Sequence, residues 1–148
     1  MSDTRRKALQ YLKKVVADPQ SSGLNICPNQ LDDLKKVVED PHSALLSTSK
    51  FFEPWESWTK KEAWWFDLPI KKIKANKRGY YYLVGATGDK KSCFIVVKVP
   101  NEFLLDNLKD FETADNKMIR LHLAAYPEKW LVDERGKGKV DFSPFEVK

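Results

Sequence analysis

Residues able to do chemistry are few in this sequence, and they are scattered. A thiol–imidazole pair would need Cys93 and His122 on neighbouring strands, with the imidazole drawing off the thiol proton. Against it, Cys93 sits in a β-branched run, where a small apolar residue is ordinary, and His122 falls on the polar side of an alternating run. A metal site needs three or four clustered Cys, His, Asp or Glu ligands. The two cysteines, Cys27 and Cys93, and the two histidines stand far apart, so no metal is expected. Asp133-Glu134-Arg135 and Asp141 gather near Gly136-Lys137-Gly138, which reads as a solvated turn with an internal ion pair. Gly85-x-x-Gly88 lacks the strand-to-helix setting of a phosphate-cradling loop, so no cofactor is expected either.

Cations and rings are what converge. Residues 59–100 carry a net charge of +7, against 0 for residues 1–58 and −2 for residues 101–148. Lys71, Lys72, Lys74, Lys77 and Arg78 lead into Tyr80, Tyr81 and Tyr82, while Lys90, Lys91 and Lys98 flank Phe94. Single-stranded nucleic acids are held by rings that stack on bases and cations that track phosphates. The expectation is a small non-enzymatic module that contacts nucleic acid through Lys71, Lys72, Lys74, Lys77, Arg78, Tyr81, Lys90 and Lys91. The opposing reading keeps the rings in the core and uses the lysines to blunt sheet edges. A second functional class is a protein-interaction module or accessory subunit, with Phe51, Phe52, Trp55 and Trp58 as an exposed aromatic surface.

The elements that must position these residues centre on Gly79–Pro100, two β-branched and aromatic runs around a polar turn. A turn centred on Gly88–Asp89 sets Val84 opposite Cys93, Tyr82 opposite Ile95 and Leu83 opposite Phe94. Both faces are then apolar, which places the hairpin in the middle of a sheet covered on both sides. Before it, Ile70–Ala75 reads as a short strand alternating Ile and Lys. Thr59-Lys-Lys-Glu62 fits a capping box, which predicts a helix over 60–67 stopped by Pro69. Two helices over 4–17 and 29–39 share the phrases LKKVVADP and LKKVVEDP and pack as an antiparallel pair. Leu9, Leu12 and Val16 face inward in the first, and Leu31, Leu34 and Val38 in the second. A short third helix covers 42–46. Asn101 caps a helix that turns Leu104, Leu108 and Phe111 inward. Residues 118–124 form a half-buried strand with Ile119, Leu121 and Leu123 in, and Arg120 and His122 out. Residues 139–142 are a last short strand.

The class is therefore α+β: N-terminal helices packed on a mostly antiparallel sheet with α-β-β-β-α-β order. One domain is expected over 1–148, with a helical part at 1–58 and a sheet core at 59–148. The order resembles, in topology alone, the core of the restriction-endonuclease-like nucleases. Such cores set a metal-binding acid on the second strand and an acid-x-lysine on the third. Here Tyr80–Val84 has no acid and Val96 stands before Val97-Lys98, so the resemblance implies at most a degenerate core without catalytic acids. The double-stranded-RNA-binding module also runs α-β-β-β-α, but Glu102 and Asp106 occupy the helix that should be basic. No apolar run reaches the roughly 18 residues of a membrane helix. The start MSDTRRKALQ has no apolar signal core, and two distant cysteines fit a reducing compartment, so the cytoplasm is the expected location.

Overall fold

The shared Leu-Lys-Lys-Val-Val phrase forms two helices with the same buried stripe. A computed structural model describes residues 3–18, 28–40, 45–57, 59–87 and 94–147. Helix α1 runs Asp3–Ala17 and helix α2 runs Pro28–Glu39, and the two are in contact. Leu12 and Val15 are buried in α1, and their counterparts Leu34 and Val37 are buried in α2. Val16 and Val38, expected to face inward, are half-buried beside them, and the Leu31 side chain lies outside the described residues. Pro28 opens α2, where a missing N–H costs nothing.

Among the described residues, six strands follow in two sheets. The first has the order β1 (Leu46–Ser49), β3 (Tyr80–Ala86), β4 (Phe94–Pro100), with β1 parallel and β4 antiparallel to β3. The second has the order β2 (Ala63–Pro69), β6 (Met118–Ala124), β5 (Glu112–Ala114), antiparallel throughout. The chain is thus α+β, as expected. The β3–β4 hairpin is the middle layer, and both of its faces are covered. Tyr82, Val84, Phe94 and Val96 meet the α1–α2 stripe. Tyr81, Leu83, Val97 and Val99 meet Trp64, Phe66, Leu68, Ile119, Leu121 and Leu123 of the second sheet. Apolar residues on alternate sides of both strands bury two interfaces with one hairpin.

Its register is not the one the turn signal predicts. Leu83 pairs with Val97, Val84 with Val96 and Ala86 with Phe94, three residues away from a turn centred on Gly88–Asp89. Contacts across both faces set the register and override the local turn signal. Gly85 fixes how β3 meets the second sheet. A Cβ there would lie 2.7 Å from the Trp64 indole, whose Nε1–H donates to the Ala86 carbonyl at 2.8 Å. The ring lies against bare backbone, and only glycine leaves room.

Two short elements exchange type. The predicted helix over 60–67 is replaced by β2, in which Trp64, Phe66 and Leu68 are buried while Asp67 is exposed. That alternation is a strand period, and aromatic residues favour it. Thr59 caps no helix; its N–H donates to Ser57 Oγ at 3.3 Å. The predicted strand over 70–75 is helix α3 (Ile70–Ala75), with Ile70 and Ile73 buried three residues apart. With these two exchanged, the topological likeness to the nuclease core loses its first helix and first strand. Residues 42–44 lie outside the described residues, and Leu46 begins β1, so the stretch 1–58 contributes a strand as well as helices.

Helix α4 (Asn101–Asp106) is shorter than expected and passes into a 3-10 turn at Leu108–Asp110. Leu104 and Phe111 are buried, and Leu108 is half-buried. Pro100, not Asn101, takes the N-cap position. Asp115 and Asn116, with φ of 53° and 56°, make the tight turn between β5 and β6. The expected strand at 139–142 reduces to a bridge between Val132 and Asp141, with Phe142 buried. Farther on, the Val147 N–H donates to Val96 at 2.8 Å and Glu146 bridges Val97, which covers the outer edge of β4.

Candidate nucleic-acid interface

Helix α3 is too short to be stable alone. It is held by Ile70 and Ile73, which enter the core between the sheets, and by its packing against α4. Burying that one side leaves Lys71, Lys72 and Lys74 exposed. Lys77 and Arg78 are exposed in the turn that follows. The backbone of this turn is tightly held. Asn76 N–H donates to Ile73 and Gly79 N–H to Asn76, and the Asn76 side chain donates to Lys72 at 2.9 Å. Asn101 is fully buried and clamps the turn from α4: its backbone N–H donates to Gly79 at 3.0 Å and its Nδ2–H to Asn76 at 2.8 Å. The expected capping residue is therefore an anchor for the basic turn.

The five cations lie in a stretch without counter-charge, since residues 68–88 contain no Asp or Glu. Among the described residues, none of the five is held in an ion pair. Helix α4 brings exposed Glu102 and Asp106 alongside. On this helix, unlike the expected strand, Lys71 and Lys74 share a side and Lys72 lies about 100° round from Lys71.

The tyrosines divide differently from the expectation. Tyr81 is 3% exposed and belongs to the core between the sheets, and burial pushes its hydroxyl up to about 12. Its ring offers no face to a base, which corrects its place among the residues expected to touch nucleic acid. Tyr82 is buried against the helices. Tyr80 at the strand end is 44% exposed, and Lys98 Nζ lies 4.2 Å from its ring centre. In the observed register Lys98 sits opposite Tyr82, diagonal to Tyr80 on the same face. Lys90 and Lys91 lie outside the described residues.

The aromatic segment before β2 is mostly packed. Phe51 is half-buried, edge-on to Trp64 at 6.1 Å, and Phe52 is half-buried against Trp65 at 6.3 Å. Trp55 is 76% exposed, and Trp58 lies outside the described residues.

His122 is not on a solvent face. It is fully buried, because β6 is the central strand of its sheet and the residues around Ser57, Trp65 and Asp133 cover that side. Its Nε2 is 3.1 Å from Ser57 Oγ, and its ring is 5.8 Å from the Trp65 ring. Burial lowers its affinity for a proton, Glu134 opposes that, and Arg135 adds to it. Sixty-five residues separate Ser57 from His122, so no local spacing signals the pair. Cys93, the other member of the predicted pair, lies outside the described residues. Asp133 is likewise buried: its carboxylate accepts from the backbone N–H groups of His122, Arg135 and Gly136. Burial raises its pKa and these three bonds lower it, burial being the larger effect. Arg135 pairs with Glu112, and Glu134 accepts from the Tyr126 hydroxyl at 2.6 Å. The expected solvated turn is thus an anchored loop.

Among the described residues, no group of three or more His, Cys, Asp or Glu is arranged to hold a metal ion. No helix among them is long and apolar enough to cross a membrane. No protein-family model, no curated protein and no solved structure matches this chain.

Proposed function

We propose that this chain is a non-enzymatic binding module of the cytoplasm whose partner is single-stranded nucleic acid, gripped by α3 and the turn that follows it. The observation that carries the reading is the set of five exposed cations, Lys71, Lys72, Lys74, Lys77 and Arg78, on a helix and turn fixed by Asn76 and Asn101. A fixed backbone holds the cations ready, so less ordering is needed when phosphates arrive. Tyr80 supplies a ring beside them, and Lys98 over that ring adds a sixth cation. Phosphates tracking the lysines bring a base within reach of a stacking face.

The test is a salt titration with a labelled single-stranded oligonucleotide. Replacing Lys72, Lys74, Lys77 and Arg78 by Gln should weaken binding and flatten its salt dependence by about 0.7 for each phosphate that is no longer neutralised. The same change at Lys13, Lys14, Lys35 and Lys36, exposed on α1 and α2, should do much less. Equal losses would reduce the interaction to diffuse charge. No binding at about 50 mM salt, where such attractions are strongest, would end the reading.

A second reading, an interaction module for a protein partner, is favoured by Trp55 alone, which is 76% exposed. Photo-crosslinking from position 55 in the native host, giving one defined protein adduct while Trp55→Ala leaves oligonucleotide affinity intact, would support it.

A further inference from the structure

A cleft of about 650 Å³ opens between α3, α4 and β5. Its floor is apolar, made by Ile70, Leu105, Leu108 and Phe111, and exposed Lys74 and Lys109 stand at its margin. We propose that this cleft receives one unstacked base of a bound single strand, with Lys74 and Lys109 taking the phosphates on either side of it. The inference rests on the reading of α3 as a nucleic-acid surface, and Lys74 is the residue common to both.

The chemistry follows from the lining. A base is a flat, largely apolar ring with polar edges, and a binding site of a few hundred cubic ångströms with an apolar floor and a few placed polar groups suits such a body. Thr113 and Asn116 supply those groups on the β5 side. Exposed Asp106 also lines the cleft. Its carboxylate repels phosphate but accepts from the exocyclic amine of cytosine or adenine. Among the lining residues themselves, two lysines stand against one acid. A simple anion would find no use for the apolar floor, and an uncharged apolar ligand none for the lysines.

The experiment compares a short oligodeoxycytidine with a strand of equal length made of abasic residues, by fluorescence anisotropy at about 50 mM salt. The full chain should bind the base-bearing strand about tenfold more tightly, the scale of one well-held base. Thr113→Trp, which fills the cleft from a half-buried edge-strand position, should remove most of that difference and leave only the share that stacking on Tyr80 supplies, and an undiminished difference would overturn the cleft. Tyr80→Ala should leave part of the difference in place. Lys109→Gln, at an exposed position, should flatten the salt dependence by about 0.7. Equal binding of both strands by the unaltered chain would overturn the cleft and leave the α3 surface standing. A difference abolished by Tyr80→Ala would assign the base to Tyr80 and overturn the cleft. An unchanged salt slope in Lys109→Gln would also overturn it. Failure of both strands to bind would instead overturn the α3 surface, and the cleft with it.

Discussion

Gly85 shows how one residue sets the fit of a strand against the neighbouring sheet. Trp64 is 1% exposed, and its indole lies against the Gly85 backbone with its N–H committed to Ala86. A methyl group there meets three indole atoms at 2.7–2.9 Å. The ring has no free side to move toward, because Trp130 abuts it edge-on at 5.3 Å and Phe51 at 6.1 Å. Gly85→Ala should therefore destabilise the fold by about 1–3 kcal/mol, the usual cost of overpacking. Urea unfolding measures the loss. Faster exchange of the Trp64 indole proton would locate it, and an unchanged midpoint would mean that the ring yields easily.

At the scale of elements, α3 and its turn depend on a neighbour for their shape. Six residues cannot sustain a helix in water, so the basic surface exists because Ile70 and Ile73 are buried and Asn101 holds the exit. Asn101→Ala removes the side-chain bond to Asn76 and keeps every charge. About 1 kcal/mol of stability should be lost. Hydrogen exchange at Gly79, whose N–H donates to that same Asn76 carbonyl, should speed up. Oligonucleotide binding should weaken a few-fold with its salt slope unchanged, because the number of cations is the same. A flatter slope would show that Asn101 does more than hold the turn.

For the whole molecule, His122 makes stability depend on pH. It joins β6 to β2 through half-buried Trp65 and to the segment around Ser57, and both His122 and Ser57 are buried. Its pKa is lowered by burial in the folded chain, so the unfolded chain takes up a proton first. The contribution of the neutral ring is complete above the unfolded value of about 6.5. It is lost as pH falls from there toward the folded value, at no more than about 1.4 kcal/mol per pH unit for one proton. Asp133 acts in the opposite sense, since a raised carboxyl pKa makes the folded chain the better proton acceptor as pH falls. Comparing the unaltered chain with His122→Gln isolates the histidine. The difference in unfolding free energy between the two should shrink as pH drops from 7 to about 5. A constant difference would mean that His122 keeps an ordinary proton affinity.

Much of the fold was legible in the sequence where pattern and burial agree. The two-sided apolar hairpin at 80–100 can only be a covered middle strand pair, and it is one. The alternation of Ile119, Leu121 and Leu123 and the repeated helical phrase were equally direct, because a long amphipathic period leaves one solution. Short segments were not. Thr59–Glu62 spells a helix start and Ile70–Ala75 offers two isoleucines, and over six or seven residues local propensity is too weak to choose. The second sheet decided, by needing Trp64, Phe66 and Leu68 as a strand and Ile70 and Ile73 as one helical side. The candidate site divides in the same way. That positive charge gathers in residues 71–78 is a property of the sequence alone. Which ring stands beside it is not, since both faces of the hairpin are covered and alternation does not say where that cover ends. Packing against the second sheet takes Tyr81 inward and leaves Tyr80 at the strand end. The partnership of Ser57 with His122 exists only once two sheet neighbours and a loop close over one another, and no spacing in the chain encodes it.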